Sequence, residues 1–448
     1  MSTTYGRPAA RPMEVRAVVS GALGSAFEFF DFAVYGALSA TIFPSLFFKD
    51  LGSTAALLAS FATFGVGFLA RPLGSLVFGH LGDRLGRKPI LFTTLILMGV
   101  SSVLIGCLPT GQGAAIATLL VSLRFLQGFS LGGEMVGNQL MTMEHGDKSR
   151  RGLLGSLVMM GSPISQVLAN LSLVALSTTL SAGNFTSWGW RVPFLAGSLI
   201  VVIAVVTRLK LEETPAYIAS KEMVVTSPAG KSRGMGLRVF VTHPLTVVRL
   251  VLLWGGPTLC FYLVAVYGLN YLTKSVGMSS DVSFLILAVA NGASALACVA
   301  GGLLCDRIGR KTVMLCGIGG VFVGIALFFT LAGSNVLATG LIVTLVLCSI
   351  QLASGVQPAL FAEQFPTEVR FAGTAMSHSL ANLIFAAPSA FLAAALVALG
   401  GNTLIMFVAL ALLAVSAMVL PKLKEGGHLN LEEFAEEGTP QTTKELRV

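Results

Sequence analysis

The sequence predicts an all-α membrane protein, with twelve transmembrane helices in two six-helix bundles related by an internal repeat. Three observations carry that prediction. Of the 448 residues, 54% are hydrophobic and only 11% charged, where a soluble domain carries about 25% charged residues. Apolar windows of about 20 residues recur along the chain, the length that crosses roughly 30 Å of hydrocarbon. A charged pattern, GHLGDRLGRK at 79–88, returns as GLLCDRIGRK at 302–311, so that Asp83 and Asp306 stand 223 residues apart. The apolar runs are continuous rather than alternating with period two, which excludes a membrane β-barrel.

Along the chain, residues 1–16 are polar and basic, with no cleavable signal pattern. Spans are expected near 17–47, 54–78, 90–108, 115–138, 153–180 and 190–209, making an N-terminal bundle over 17–209. The first is long and is expected to tilt or to fray near Pro44. Residues 210–247 form the one long polar interruption and read as a linker. The second bundle, 248–420, is expected to hold spans near 248–273, 281–304, 312–332, 337–361, 372–396 and 400–420. A polar, acidic tail follows at 421–448, a short helix or disordered. With the amino terminus inside, 24 of the 29 Lys and Arg fall in cytoplasmic segments, the positive-inside asymmetry. The net charge of +8 therefore sets orientation and does not point to nucleic acid. A second repeat supports the division: Glu144 precedes Arg151, and Glu363 precedes Arg370, each by seven residues, as expected of a transporter built from repeats. Pro163 and Pro388 stand 225 apart, at positions where helices kink. The six cysteines show no metal or redox spacing and read as small apolar packing residues. No cofactor is implied.

Charge inside a span costs several kcal/mol unless it meets a partner or a water-filled cavity. Glu28 and Asp31 share a face of the first span at a spacing of three. Arg71 stands in the second span, Arg124 and Glu134 in the fourth. Three acids against two arginines suggest pairing across helices. A carboxylate whose proton affinity changes as an arginine moves is a physical device for coupling protons to a conformational cycle; a static buried ion pair is the alternative. Glu134, near the end of its span, reads as a closing-gate residue. Arg71 is either a bidentate clamp for a carboxylate substrate or a partner for Glu28 or Asp31. Gly128, Gly132 and Gly133 allow close helix approach; no phosphate-binding loop is present, since Gly-Lys-Ser/Thr is missing.

The repeated GxxxDRxGRK segment resembles the signature loop of the major facilitator superfamily. EFFDFAVYG (28–36), FLARPLGSLVFGHLGDRLGRK (68–88), RFLQGFSLGGE (124–134), WGWRVPF (188–194), LEETPAY (211–217) and EQFPTEVRFAG (363–373) resemble its metabolite:proton symporter family, whose substrates include shikimate, 2-oxoglutarate, citrate, proline and betaine. The resemblance covers essentially the whole chain. It implies that Asp83 caps or pairs against the neighbouring bundle when the cytoplasmic side is shut, with Arg84, Arg87 and Lys88 in reach of Glu144 or Glu213. In the second half Asp306, Arg307, Arg310 and Lys311 would stand near Glu363 and Arg370. Cys305 and Leu303 replace Gly82 and His80 of the first copy, which suggests a weaker second gate.

The substrate site is expected near midplane between the bundles. Candidates are Tyr35, Arg71, Gln166 and Asn170, and from the second half Tyr262, Tyr267, Asn270, Asn291, Gln351, Gln357, His378 and Asn382. Many polar groups in such helices serve interhelical hydrogen bonds instead. His378 could join the proton path. The function expected is proton-coupled symport of a small organic acid by a monomer in the inner membrane, with both termini cytoplasmic and lipid around it. An osmolyte symporter is next, and a drug:proton antiporter third. A membrane enzyme would need an embedded nucleophile cluster, which the sequence lacks, and a sensor would need a sizeable soluble domain.

Overall fold

The computed structural model describes residues 26, 29–85, 87–111, 113–131, 136, 139–140, 142–143, 148–198, 235–366 and 369–426. Among them, seven helical stretches are long and apolar enough to cross a membrane. One of these, Arg370–Lys422, has 53 residues, about 80 Å at 1.5 Å per residue and far beyond one crossing. Gly401, at φ +69°, breaks it into two spans, because only glycine takes that conformation without strain. In chain order the described parts of the spans are α1 (29–41), α2 (Ser53–Leu85), α3 (Arg87–Gly106), α4 (Ala114–Ser130), α5 (Arg151–Thr179), α6 (192–198), α7 (Pro244–Ser275), α8 (Ser280–Ile308), α9 (Arg310–Leu331), α10 (Val336–Ala362), α11 (370–400) and α12 (402–419).

Several boundaries differ from the expectation for local reasons. The first span turns at Ile42, and Pro44 sits in the first turn of a separate short helix, Phe43–Phe47, where its missing N–H costs nothing. The charged repeat segments are largely helix. α2 continues to Leu85 and α3 starts at Arg87, while α8 runs to Ile308 and α9 starts at Arg310. Only Gly309, at φ +98°, turns the chain between α8 and α9. In the linker a short helix, Met235–Thr242, leads into α7, which starts at Pro244. α7 is nearly all buried. It contains two π-helical segments, Leu263–Tyr267 and Tyr271–Ser275, and α11 contains a third, Asn382–Ala386, just before Pro388.

Glycines set the closest crossings in both bundles. Gly128 of α4 lies against the Gly67 carbonyl of α2, and Gly74 of α2 against the Phe129 carbonyl. In the second half Gly301 of α8 lies against the Leu352 carbonyl of α10, and Gly355 of α10 against that of Cys298. A side chain at any of these would force the helices apart.

The two bundles touch at both ends. At the end carrying the repeat segments, α5 meets α8 and α10, with Gly302 on Gly152 and Ser156, and Gly155 on Pro358. At the opposite end Asn270 Nδ2 of α7 donates to the Ala40 carbonyl of α1 at 3.1 Å, Gly36 packs on Val266, and Gly65 of α2 on the Ala387 carbonyl of α11.

Candidate functional site

Between the bundles lies a cavity of about 50 Å3, lined by Phe29, Arg71, Met159, Ser162, Trp254, Pro257, Thr258, Phe261, Tyr262, Ile350, Gln351, Ser354, His378 and Asn382. The space holds a few waters. Arg71 projects here because α2 carries it on the face toward α1 and the second bundle. Its guanidinium sits over the Phe32 ring at 4.3 Å and the Phe68 ring at 4.9 Å. His378 faces the same space, with its ring 6.5 Å from that of Trp254.

Behind Arg71, inside the first bundle, the two buried charges Asp31 and Arg124 do not pair directly; Gln127 stands between them. Arg124 Nη1 donates to Gln127 Oε1 at 2.5 Å, and Gln127 Nε2 donates to Asp31 Oδ2 at 2.9 Å. Arg124 and Gln127 are three apart on α4, so one helix face presents both. The Arg124 guanidinium, fully buried, stacks over Phe32 at 3.8 Å, Tyr35 at 4.3 Å and Phe64 at 5.4 Å. Such desolvated cation–π contacts are worth about 2 kcal/mol and explain how the guanidinium tolerates burial. Gly67 leaves it room, since a Cβ there would lie 2.9 Å from Arg124 Nε. Phe32 thus carries both guanidiniums, Arg71 on the cavity side and Arg124 on the Asp31 side.

Of the expected substrate residues, the structure brings Arg71, Tyr262, Gln351, His378 and Asn382 to the cavity. Tyr35 lies in the core of the first bundle, donating its hydroxyl hydrogen to Thr63 Oγ1 at 2.7 Å. Asn170 and Asn291 donate to the Gln166 and Leu287 carbonyls of their own helices. Gln166, Tyr267 and Gln357 are buried away from the cavity lining, and Asn270 makes the α7–α1 contact at the far end. Sequence reasoning missed Gln127, for which the spacing to Arg124 was the available signal. It also missed Phe29, Met159, Ser162, Trp254, Thr258, Phe261 and Ser354.

At the repeat-segment end, Asp306 reaches across to the first bundle. Its Oδ1 accepts from Gly152 N and its Oδ2 from Leu153 N, both at 2.9 Å. These are unsatisfied N–H groups at the start of α5, where negative charge is favoured. Arg310 Nη1 holds Asp306 Oδ1 at 2.6 Å, and Arg310 Nη2 holds Glu363 Oε1 at 3.2 Å. Arg310 also contacts Cys305 Sγ at 3.4 Å, so the cysteine in place of glycine joins the network. Burial lifts the Glu363 carboxyl above the ordinary carboxylate range, against the pull of Arg310. Arg370 Nε donates to the Ala362 carbonyl at 3.2 Å, and Arg151 is buried near Glu363. The described start of the tail packs on this end too: Lys311 N donates to Glu425 Oε1, and Gln364 exchanges two hydrogen bonds with the Lys424 backbone. Glu28, Glu134, Glu144 and Glu213 lie outside the described residues, as do the side chains of Asp83, Arg84, Arg87 and Lys88. Arg307 ends α8 on its exposed side.

Two helical bundles with a cavity between them, lined by aromatic residues and a few polar groups and with contacts at both ends, fit a membrane transporter. Residues 22–362 match the family model of the Major Facilitator Superfamily, and the chain belongs to that family. The inner membrane metabolite transport protein YhjE of Escherichia coli is 36% identical over 85% of this chain and 87% of its own. The shikimate transporter of the same organism is 33% identical, over 85% and 87%. The proline/betaine transporter of Escherichia coli is 32% identical, over 82% of this chain and 75% of its own. Among solved structures, the proton:xylose symporter XylE bound to 6-bromo-6-deoxy-D-glucose superposes with a TM-score of 0.76, at 17% identity, over 95% of this chain and 98% of that one.

Proposed function

We propose that the protein is a secondary transporter that carries a small organic acid together with a proton by alternating access. The observation that supports this most directly is the placement of Arg71 in the cavity, one aromatic ring away from the Arg124–Gln127–Asp31 row. Arg71 would hold the substrate carboxylate, with Gln351, Asn382 and His378 available for its other polar groups. Asp31 would carry the proton. The shikimate transporter among the relatives agrees with this chemistry.

In the same reading the bundles span 17–209 and 248–420, joined by the linker 210–247, with 1–16 and 421–448 cytoplasmic in an inner membrane. The repeat-segment end is then the cytoplasmic gate. Asp306, Arg310 and Glu363 would hold it shut and release as the cavity opens inward. The partners are substrate, protons and lipid.

A second reading, a zwitterionic osmolyte, is favoured by one feature. Phe29, Trp254, Phe261 and Tyr262 line the cavity, and aromatic faces suit a quaternary ammonium group. One experiment separates the two. External pH is followed in weakly buffered proteoliposomes as shikimate, 2-oxoglutarate, citrate, benzoate, proline and betaine are added in turn. Alkalinisation with an acid supports the first reading, and alkalinisation with betaine alone replaces it with the second. Acidification would mean antiport.

A further inference from the structure

The Asp31 carboxyl has two unequal oxygens. Oδ2 is occupied by the Gln127 amide, whereas Oδ1 is buried without a hydrogen-bond partner, beside Gly197 of α6. A Cβ at Gly197 would lie 3.1 Å from Oδ1, so the glycine leaves this oxygen uncovered. The Ser102 hydroxyl of α3 stands beside the same carboxyl, close enough to interact with it but short of full hydrogen-bond geometry. The other charged or titratable groups around the row are Arg124 and Arg71, and the phenols of Tyr35 and Tyr262; Glu28 lies outside the described residues.

Resting on the symport reading above, we infer that Gln127 is a positioning residue for proton coupling: it holds Asp31 Oδ2 and Arg124 at its two amide ends and leaves Oδ1 to take the proton. The amide N–H stabilises the ionised carboxylate through a charge-assisted hydrogen bond. The amide oxygen, held by Arg124, cannot turn to the carboxylate, so the orientation is fixed. A direct Arg124–Asp31 ion pair would lock the acid in its charged form. With the amide between them, Asp31 binds a proton on Oδ1, with Ser102 Oγ as the acceptor for it, while Arg124 stays on its rings. When Oδ1 is protonated, the Gln127 hydrogen bond loses its charge assistance, and the row slackens at the ring that Arg124 shares with Arg71. Substrate on Arg71 and proton on Asp31 are thereby sensed through Phe32.

The test reads Asp31 directly and needs no substrate. Infrared difference spectra of the full-length protein in lipid follow the carboxylic C=O band that disappears in Asp31→Asn, as pH is varied. In Gln127→Met the midpoint of that band is expected to move by a pH unit or more, about tenfold in proton affinity. Gln127→Glu, nearly isosteric, removes the N–H donor and is expected to move it as well, which covers the case of a methionine variant that fails to fold. A midpoint unchanged in either folded variant overturns the inference. In parallel, proteoliposomes are loaded for shikimate counterflow and for uptake driven by a proton gradient. Gln127→Met is expected to keep counterflow and to lose at least tenfold in accumulation; equal loss in both would overturn a coupling role in favour of a merely structural one. A wild type that shows the titrating band but no proton-driven uptake of any compound in the panel would remove the symport reading and the coupling role with it, while a shifted midpoint in the variants would still show that Gln127 sets the proton affinity of Asp31.

Discussion

Arg71 is held by geometry that lysine cannot reproduce: a planar, forked cation stacked over Phe32 and Phe68 at the cavity wall. Arg71→Lys keeps the charge and loses the stacking and the fork. Its KM for the transported acid is expected to rise about tenfold, near 1.4 kcal/mol, with Vmax less affected; an unchanged KM would take Arg71 out of the substrate site. Asp31→Asn tests the other end of the row. Accumulation against a gradient is expected to vanish while counterflow persists, and full uphill uptake would remove Asp31 as the coupling residue. These residues were visible in the sequence because a charge in an apolar span stands out. Trp254, Phe261 and Phe29 were not, since an aromatic residue in an apolar helix looks the same whether it faces lipid, core or cavity. Tyr35 shows the converse: a polar tip suggested a ligand contact, and Thr63 takes it up instead.

Among the helices, the α5–α8 junction combines opposite chemistries on one aspartate. Asp306 accepts two N–H groups from the start of α5 and also pairs with Arg310. Hydrogen bonds to a charged group contribute about 1.5–3 kcal/mol each. Asp306→Asn removes the charge from both contacts and is expected to raise, by about tenfold or more, the rate at which a thiol reagent reaches a cysteine placed at Ser162 from this end. Glu363 is expected to hold this end shut best in its protonated form. Burial in the closed end raises its proton affinity, so closure gains from this group in acid and loses that contribution as pH rises through the raised value. Glu363→Gln, uncharged at every pH, should keep labelling at Ser162→Cys slow and remove the part of its rise with pH that exceeds the ionisation of the probe thiol itself; faster labelling in this variant would show that the Arg310 pair dominates. The spans themselves were legible from apolar length, and the repeat from its charges. The continuation of helix through the charged segments and the π-helical turns in α7 and α11 were not, because hydropathy does not report backbone hydrogen-bond register.

For the molecule as a whole, among the described residues the bundles touch at both ends and the cavity between them holds about 50 Å3. Small-molecule sites occupy about 300–1,000 Å3, so a metabolite enters only if the bundles part. The contacts at the two ends differ in kind. One is a charged network seated on a helix start, and the other is a set of uncharged contacts: the Asn270 amide on the Ala40 carbonyl, Gly65 on the Ala387 backbone and Gly36 on the Val266 side chain. Opening the second set breaks few strong bonds but requires α1 and α2 to leave α7 and α11. The π-helical turns of α7 and α11 lie at these contacts, where a shift of hydrogen-bond register can bend a helix without unfolding it. A cysteine pair at Gly36 and Val266, in a background without the six native cysteines, places its sulfurs within disulfide range, because a Cβ at Gly36 lies 3.0 Å from a Val266 methyl. Oxidation is expected to abolish uptake and reduction to restore it. Labelling of a cavity cysteine from the repeat-segment end should survive oxidation, since that end opens independently. Uptake at the full rate with the cross-link formed would show that the bundles do not separate there, and the two-ended cycle would have to be abandoned.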